Sequence, residues 1–375
     1  MISVLFLIPT LDRGGAENVL VNLVNHMDQS KFKITVQTLF DQDSQKDQLR
    51  DGIEYRTFLK HQFHGNSKLQ AWIPAGLLYR LIVRKRYDIV VSYLEGPTTH
   101  ILSGCPYSDT KKVAWFHSAL TNDRGFHAGF SSKEAALRAY RQFDLIAYVA
   151  QTVRETIEKT AGVKFARSCV LYNTLNTDVI LKGAVEEFRD CPFSDREFNI
   201  ISTGKIKAVK GYDRLARIQK MLRDAGFLTH VYILGTGPQR KEIEGFLREN
   251  DLEESFTFLG FHENPYMYVS KADLFVCSSR REGFSTAVSE ALVLGVPVIS
   301  TDCSGAKELL GENNEYGVVT KNEEQSLYDG IIRLLENPSL LSHYREQAKK
   351  RGNHFQIETT VHAVEEEFVK LFEER

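Results

Sequence analysis

The sequence predicts an α/β protein made of two domains, each built on a parallel sheet. Short apolar runs alternate with amphipathic stretches along the chain, which is the pattern of repeated βαβ units. The clearest unit is residues 273–300, where an apolar strand, a polar loop, a helix and a second strand follow one another. At 375 residues the chain is long for one domain and comfortable for two.

The first domain is predicted to span residues 1–185. Its expected strands are residues 2–8, 33–39, 88–93, 112–115, 144–149 and 168–172. Helices are expected over residues 16–27, 77–86 and 152–160. A charged stretch at residues 185–197, which contains Pro192, is the predicted linker.

The second domain is predicted to span residues 197–357. Its expected strands are residues 198–202, 231–234, 256–259, 273–277, 296–300 and 316–319. The expected helices are residues 212–224, 239–250, 286–294, 323–335 and 340–351, and a last helix follows at about 358–375.

Composition narrows the classes of partner and location. The chain has 47 Lys and Arg against 49 Asp and Glu, so nothing in its charge favours nucleic acid. Its five cysteines are scattered without paired spacing and are interpreted as reduced thiols of a cytoplasmic protein. The apolar start lacks a basic segment and makes a better strand than a signal peptide, and no stretch is long enough to cross a bilayer. We therefore expect a soluble or peripheral protein.

Two acids bracket a helix start in the 273–300 unit. Glu282 lies in the loop and Glu290 lies two turns into the helix, which Ser285 or Thr286 can cap. A loop at the carboxyl end of a strand, followed by a helix N-terminus, is where open α/β sheets bind ligands. Sugar hydroxyls, which donate hydrogen bonds to carboxylates, suit such a site. The alternative is that both acids are solvated surface residues.

The stretch E-G-F-S-T-A-V-S-E, followed by A-L-V-L-G-V-P-V-I-S, resembles the E-x7-E signature of the retaining nucleotide-sugar glycosyltransferases of family four. The resemblance implies the GT-B fold, in which two Rossmann-like domains face each other across a cleft and the last helix packs back on the first domain. It also implies that Glu282 holds sugar hydroxyls and Glu290 the ribose diol. The residues between them that are expected to bind the donor are Gly283, Phe284, Ser285 and Thr286.

A basic loop precedes the helix at residues 212–224. Its sequence, G-K-I-K-A-V-K-G, places three lysines ahead of a helix N-terminus, which favours an anion, although a solvated basic loop is the alternative. It resembles the family's G-R-x-x-x-x-K-G, so Gly204 is assigned to the donor and Lys205 and Lys210 to the leaving diphosphate. Lys205 stands where the family usually has Arg, and the bidentate geometry of Arg is lost.

Further turns carry the resemblance. Gly237, in G-T-G-P, and Phe261, after the strand at 256–259, are expected to border the nucleotide. In the first domain, the G-G-A-E segment assigns Gly15 to the donor and Gly14 to the acceptor. His117, in W-F-H, is placed beside the transferred sugar as a catalytic residue. Two residues in loops after strands are assigned to the acceptor, namely Glu95 and Asn173.

No metal or other cofactor is expected. Asp41 and Asp43 form a D-x-D pair, but the segment continues as a charged, solvated stretch. His61 and His64 have a metal-like spacing, but they lie beside a Gly-Asn-Ser loop and have no evident third ligand. The lysines and the helix end are expected to replace a divalent ion.

Residues 77–86, L-L-Y-R-L-I-V-R-K-R, form either a sheet-packing helix with a solvated basic face or a peripheral contact with anionic lipid. The second interpretation suits an acceptor anchored in a membrane. It would place the protein on the inner face of the plasma membrane.

The expected reaction is retaining transfer of a hexosyl or N-acetylhexosaminyl unit, from a nucleotide sugar that we take to be UDP-linked. The expected acceptor is a glycan, in particular a lipid-linked one of bacterial surface polysaccharide synthesis. Three alternatives share the architecture: a UDP-sugar 2-epimerase, a starch or glycogen synthase, and a nucleotide-sugar-binding subunit without catalysis. The loops at residues 60–72 and 117–130, which would choose the acceptor, match no motif, and the sequence leaves the sugar, the linkage and the oligomeric state open.

Overall fold

The structure is a computed structural model that describes residues 1–12, 14–41, 45–60, 71–188 and 191–374. It divides into two compact units. The first comprises Met1–Leu175 together with Ile357–Arg375, and the second comprises Asn176–Gln356.

The first unit is built on a parallel seven-stranded sheet with the strand order β3-β2-β1-β4-β5-β6-β7. Its strands are β1 (Ile2–Ile8), β2 (Phe32–Phe40), β3 (Glu54–Leu59), β4 (Ile89–Ser92), β5 (Lys111–Phe116), β6 (Leu145–Tyr148) and β7 (Ser168–Val170). The central strands consist almost wholly of buried apolar residues, as expected when helices cover both faces of a parallel sheet.

The first unit contains the following helices among its described residues. They are α1 (Gly15–His26), α2 (Ala75–Ile82), α3 (Pro97–Ser103), α4 (Asp123–Phe126), α5 (Lys133–Tyr140) and α6 (Gln151–Ala161). The last helix of the chain, Ile357–Glu373, also belongs to this unit. Its Phe368 ring lies 6.1 Å from that of Phe6, and Glu365 Oε1 accepts a 2.6 Å hydrogen bond from the backbone N–H of Asp28.

The second unit is built on a parallel six-stranded sheet with the order β10-β9-β8-β11-β12-β13. Its strands are β8 (Phe198–Thr203), β9 (Thr229–Leu234), β10 (Phe256–Gly260), β11 (Leu274–Cys277), β12 (Val298–Thr301) and β13 (Val318–Thr320). Its helices are α7 (Thr177–Ala184), α8 (Tyr212–Asp224), α9 (Arg240–Glu249), α10 (Tyr266–Val269), α11 (Thr286–Val293), α12 (Ala306–Leu310), α13 (Glu324–Leu335) and α14 (Pro338–Gly352).

The division between the units differs from the linker expected at residues 185–197. It falls between Leu175 and Asn176, ahead of α7, whereas the first domain was predicted to extend to residue 185. The reason is that the end of α7 is bonded into the second unit. Asn264 Nδ2 donates a 2.9 Å hydrogen bond to the carbonyl of Gly183, and Ser270 Oγ donates one to the carbonyl of Ala184.

Several elements of the first unit are absent from the sequence expectations. Strand β3 is an edge strand of half-buried residues, so it lacks the apolar run that marks the inner strands. The loop expected at residues 117–130 contains the short helix α4, capped by Asn122, and is followed by the helix α5, which is capped by Ser132 and was not predicted. Among the described residues, no helix has the length and apolar character that crossing a bilayer requires.

Candidate functional site

The second sheet has its topological switch point between β8 and β11. From β8 the chain winds outward through β9 and β10, then returns to β11 on the other side and winds outward through β12 and β13. Loops that follow the two strands at a switch point diverge and leave a crevice at the carboxyl edge of the sheet. The first of these loops, residues 204–211, carries Lys205 and Lys210 and is called the lysine loop here. The second, residues 278–285, carries Glu282 and is called the glutamate loop.

Lys210 and Glu282 form an ion pair at this edge. The Lys210 Nζ atom lies 2.6 Å from Glu282 Oε1, although the two residues are 72 positions apart in sequence. Burial opposes the charged form of Lys210, but the adjacent Glu282 carboxylate outweighs it and the pKa of the lysine is raised. Lys210 is therefore positively charged at neutral pH.

Glu282 is held through one oxygen. Ser279 Oγ donates a 2.6 Å hydrogen bond to Oε1, the same atom that meets Lys210. Among the residues that the structure describes, no hydrogen bond reaches Oε2. Because a carboxylate oxygen can accept more than one hydrogen bond, this arrangement orients the group and leaves acceptor capacity for a ligand hydroxyl.

Gly211 explains how closely the two loops approach. It has φ of +69°, and a Cβ atom there would lie 2.1 Å from the carbonyl oxygen of Ser278. Ser278 Oγ in turn donates a 2.9 Å hydrogen bond to the carbonyl of Lys210. A glycine in the left-handed conformation is therefore needed to bring the lysine loop against the glutamate loop.

Ser285 caps α11, since its side chain accepts a hydrogen bond from the backbone N–H of Val288, and Thr286 is the first helical residue. Gly283 lies between Glu282 and Phe284 in the loop. The Phe284 ring is buried and lies 6.3 Å from that of Phe355, so it is a packing residue and only its backbone is available to a ligand.

Glu290 lies in the second turn of α11 and is half-buried. Burial raises the pKa of its carboxyl to about 7. Burial, and secondarily the charge of Glu290, raises the pKa of the Tyr266 phenol, so the two side chains are electrostatic neighbours. Glu290 can thus change its ionisation near neutral pH.

The turns after β8, β9 and β10 are stacked at the same edge. The backbone N–H of Gly204 donates a hydrogen bond to the carbonyl of Leu234, and the backbone N–H of Gly235 donates one to the carbonyl of Gly260. At Gly237 a Cβ atom would lie 2.3 Å from the carbonyl oxygen of Ile206, so a side chain there would clash with the lysine loop. Phe261 follows this stack and is 52% exposed.

Lys205 is exposed and is not brought into contact with Glu282. Among the described residues it has no ion-pair partner, in contrast to Lys210, which is fixed. The structure therefore brings together Lys210 and Glu282, whereas Lys205, five residues before Lys210, is exposed to solvent.

The first sheet has its switch point between β1 and β4. After β1, Gly14 is the N-cap of α1 and Gly15 its first residue, with no side-chain cap. A Cβ atom at Gly14 would lie 2.1 Å from Glu17 Oε2, so the carboxylate of the first helical turn folds back over this glycine.

His117 follows β5 and lies in an aromatic cluster. Its ring centroid is 4.5 Å from that of Tyr93 and 5.8 Å from that of Trp115. Burial lowers the pKa of His117 to about 3, so the imidazole is neutral at physiological pH. Its Nε2 atom, the Tyr93 hydroxyl and the Trp115 Nε1 are buried, and none has a hydrogen-bond partner among the described residues.

Glu95 lies beside His117 and orients the loop that carries it. Its Oε2 atom accepts a 2.9 Å hydrogen bond from the backbone N–H of His117. Burial raises the pKa of Glu95, against the lowering effect of the hydrogen bonds from His117 and Ser118. Asn173, the other predicted acceptor residue, follows β7 and is 7% exposed.

Sequence reasoning missed Ser279 and Tyr93. Ser279 is one serine among several in its loop, and its contact with Glu282 depends on the loop conformation. Tyr93 lies at the end of the apolar strand predicted at residues 88–93, so the sequence pattern predicts a core residue. Neither has a motif that would mark it.

Of the residues in the two metal alternatives, Asp43, His61 and His64 lie outside the described residues. Within the described parts of the chain, no group of three or more His, Cys, Asp or Glu side chains is arranged to hold a metal ion.

Two family models match the chain. Residues 13–179 match the family described as "Glycosyltransferase Family 4", and residues 185–351 match the family described as "Glycosyl transferases group 1". The first match contains His117 and every strand of the first sheet except β1, and the second contains the whole second sheet with Lys210 and Glu282.

Among curated proteins, the chain is 31% identical over 218 residues to the N-acetylgalactosamine-N,N'-diacetylbacillosaminyl-diphospho-undecaprenol 4-alpha-N-acetylgalactosaminyltransferase of Campylobacter jejuni. That match covers 58% of this chain and 57% of the relative. The chain is 26% identical over 143 residues to the lipopolysaccharide core biosynthesis glycosyltransferase LpsD of Rhizobium meliloti, covering 38% of this chain and 40% of the relative. The matches thus span only about half of each relative.

Among solved structures, the chain resembles HepE of Anabaena in complex with UDP, with a TM-score of 0.77 and 17% identity. The likeness covers 98% of this chain and 100% of HepE. At this identity it bears on the fold alone, and it confirms the predicted GT-B class.

Proposed function

We propose that the chain transfers a sugar from a nucleoside diphosphate to a glycan acceptor. It belongs to the glycosyltransferases, since its first half matches the family 4 model and its second half matches the group 1 model. The observation that carries the proposal is the Lys210–Glu282 pair at the switch point of the second sheet. The pair combines a cation suited to a diphosphate with an acceptor suited to sugar hydroxyls.

Lys210 and Lys205 are proposed to stabilise the leaving diphosphate. Breaking the bond between the sugar and the diphosphate develops negative charge on the leaving oxygen. The raised pKa of Lys210 keeps this ammonium charged, and its position is already fixed by Glu282. Lys205, which is exposed, can turn toward a phosphate when one arrives. In this proposal the two cations and the N-terminus of α11 do the work of a divalent ion.

Glu282 is proposed to hold the sugar through Oε2, because its other oxygen already accepts from Lys210 and Ser279. Glu290 is proposed to accept hydrogen bonds from the ribose diol, which requires its ionised form. His117, being neutral, is proposed to hydrogen-bond a hydroxyl of the transferred sugar through Nε2 rather than to act as a charged acid.

The proposed donor is a UDP-linked hexose or N-acetylhexosamine, transferred with retention of anomeric configuration. Support comes from the fold shared with a UDP complex and from the N-acetylgalactosaminyltransferase named among the relatives. The Campylobacter jejuni relative is named for a diphospho-undecaprenol substrate, and the Rhizobium meliloti relative LpsD is named for lipopolysaccharide core biosynthesis. We propose by analogy a lipid-linked glycan acceptor of bacterial surface polysaccharide synthesis, reached from the cytoplasmic face of the membrane.

A patch on the first unit supports a peripheral contact with such a membrane. Helix α2 buries Leu78 and Ile82, but Leu77 and Leu81 remain 59% and 49% exposed, and the nearby Trp72 is 78% exposed. Arg80 and Arg84 accompany these residues, and neither has an ion-pair partner among the described residues. In contrast, Lys85 pairs with Glu54 and Arg86 with Asp109. Exposed apolar side chains beside unpaired cations suit the surface of an anionic bilayer.

This contact is tested by sedimentation with vesicles of phosphatidylglycerol or phosphatidylcholine. The wild type is expected to bind the anionic vesicles, and the variant Leu77→Ser/Leu81→Ser to lose most of this binding. Leu228→Ser, at a residue of the second unit that is 62% exposed, is the matched control and should bind as the wild type does. Equal binding of both variants would reject the patch as the contact surface.

The activity is tested by measuring release of nucleoside diphosphate from UDP-, GDP- and ADP-sugars, with and without a chelator and with a lipid-linked acceptor. The proposal would be supported if a UDP-sugar is turned over at the same rate with and without the chelator, and if NMR shows that the product keeps the anomeric configuration of the donor. Tight UDP binding without turnover would favour the non-catalytic subunit, and release of free 2-epimer would favour the epimerase. A strict metal requirement would refute the proposed role of the lysines.

A further inference from the structure

Arg280 joins the two loops that carry Lys210 and Glu282. It lies two residues before Glu282, and its side chain reaches back to the lysine loop. Its Nη1 and Nη2 atoms donate to the two carboxylate oxygens of Asp213, at 2.7 and 2.6 Å. Nη1 also donates to the carbonyl of Ala208 at 2.6 Å. Arg280 therefore contacts residues on both sides of Lys210.

The backbone of Arg280 adds a second tie, because its N–H donates a 2.7 Å hydrogen bond to the carbonyl of Val209. Its own carbonyl accepts a 3.0 Å hydrogen bond from Asn322 Nδ2. Asn322 is fixed in turn by Arg214, whose Nη1 atom lies 2.8 Å from Asn322 Oδ1. Arg280 thus binds the lysine loop through both its side chain and its backbone, and Asn322, from a third segment, supports Arg280.

Asp213, the partner of Arg280, lies in the first turn of α8 and is held ionised. Burial opposes its charge, but hydrogen bonds and charge from Arg280, with a smaller contribution from Arg217, lower the pKa of Asp213 to about 2. The Asp213 side chain is 20% exposed and that of Arg280 is 38% exposed. A bidentate arginine–carboxylate pair fixes relative orientation as well as distance, which a lysine cannot do.

We infer that Asp213 and Arg280 are positioning residues that set the distance between the Lys210 ammonium and the Glu282 carboxylate. The inference rests on the proposed function, in which these two groups bind the diphosphate and the sugar of one donor. A lysine and a glutamate on separate loops act on one ligand only if the loops keep a fixed register. The Asp213–Arg280 pair, together with the tie to Ala208, provides this register.

The test compares Arg280→Ala with Arg281→Ala. Arg281 is the exposed neighbour in the same loop. Its replacement also removes one arginine and its charge, but it leaves intact the contacts that Arg280 makes with Asp213 and Ala208. We expect Arg280→Ala to lower kcat with the UDP-sugar by about 10- to 100-fold, because a misplacement on the order of 1 Å has this effect on a reacting pair. Arg281→Ala should stay within about twofold of the wild type, as expected for a side chain that orients no reacting group.

A double-mutant cycle separates positioning from a general structural effect. If Arg280 acts through Lys210, then adding Arg280→Ala to Lys210→Ala should cost less than about threefold, since the group that Arg280 positions is already gone. Arg280→Lys, which keeps the charge but not the bidentate geometry, should fall between wild type and Arg280→Ala. Additive losses in the cycle, or equal losses in Arg280→Ala and Arg281→Ala, would overturn the inference.

The affinity for UDP, measured by calorimetry on the same variants, distinguishes failure of this inference from failure of the proposed function. Turnover by the wild type with no effect of Arg280→Ala would overturn the positioning role alone. Absence of turnover in the wild type would overturn the proposed function. The positioning role would then be decided by whether Arg280→Ala, and not Arg281→Ala, weakens UDP binding. A wild type that binds no UDP would overturn both.

Discussion

Replacing Glu290 by glutamine is expected to stabilise the second unit and to remove a pH dependence from donor binding. In the wild type, burial raises the pKa of this carboxyl from 4.5 to about 7. Glutamine keeps the shape of the side chain but cannot ionise. The same substitution therefore has opposite expected effects on folding and on ligand binding.

The sign of the stability effect follows from the raised pKa. Well below pH 4.5 the carboxyl is protonated in both the folded and the unfolded chain, so it contributes no pH dependence there. Between pH 4.5 and 7 the unfolded chain loses the proton while the folded one retains it, and stability falls as pH rises. Above pH 7 the loss is complete and amounts to about 3 kcal/mol, at 1.36 kcal/mol for each unit of the shift.

The difference in unfolding free energy between Glu290→Gln and the wild type should therefore increase by about 3 kcal/mol from pH 4.5 to pH 8. The assay must report on the second unit, whereas the two tryptophans of the chain, Trp72 and Trp115, lie in the first. Hydrogen exchange of Thr286–Val293 in increasing denaturant provides this local measurement. A difference that does not change with pH would refute the reasoning that burial controls the Glu290 carboxyl.

Donor binding gives the second half of the test. With a pKa of about 7, roughly 9% of Glu290 is ionised at pH 6 and roughly 91% at pH 8. If the ribose diol binds the carboxylate, the ratio of the Kd for UDP in Glu290→Gln to that in the wild type should rise about tenfold between these values. Taking the ratio cancels the titration of the phosphates and of other residues. A constant ratio would reject the assignment of Glu290 to the ribose.

Three further predictions concern the loops and the histidine. Glu282→Gln should lower transfer by at least about 100-fold but leave UDP binding intact or tighter, because Lys210 loses its ionic partner; weaker UDP binding measured by calorimetry would contradict this. Gly211→Ala should destabilise the second unit by more than about 1 kcal/mol, since its Cβ would meet Ser278, whereas Gly226→Ala, also at positive φ but with no atom within 4 Å, should cost less; equal values in denaturant unfolding would show that strain alone is responsible. His117→Gln should retain more transfer than His117→Phe across pH 5–8, because the neutral imidazole acts by hydrogen bonding. If kcat/KM of the wild type changes with pH and both variants lose this change, a charged His117 is used instead.

The inner strands of both sheets could be predicted from sequence because they are buried on both faces. Strand β8, for example, begins at Phe198 in the sequence prediction and in the structure. The edge strand β3 could not, because its residues are only half-buried and carry no apolar run. The predicted domain boundary at residue 185 lies after the observed one, because the attachment of α7 to the second unit depends on Asn264 and Ser270, which are distant in sequence.

The candidate site divides in the same way. Motif resemblance identifies Lys210 and Glu282, and the structure shows that they form an ion pair. Ser279 and Arg280 escape prediction because serine and arginine are common in polar loops, and their partners come from other segments or from loop geometry. Local patterns reveal which residues the loops carry, but the contacts that orient them are tertiary.

The most direct test of the central claim is UDP release from a UDP-sugar in chelator, compared between the wild type and Glu282→Gln, with UDP binding measured on both proteins. The account predicts steady release by the wild type, binding of UDP by both proteins, and release by the variant reduced by at least about 100-fold. Equal release by the two proteins would show that the Lys210–Glu282 pair is not the reacting centre.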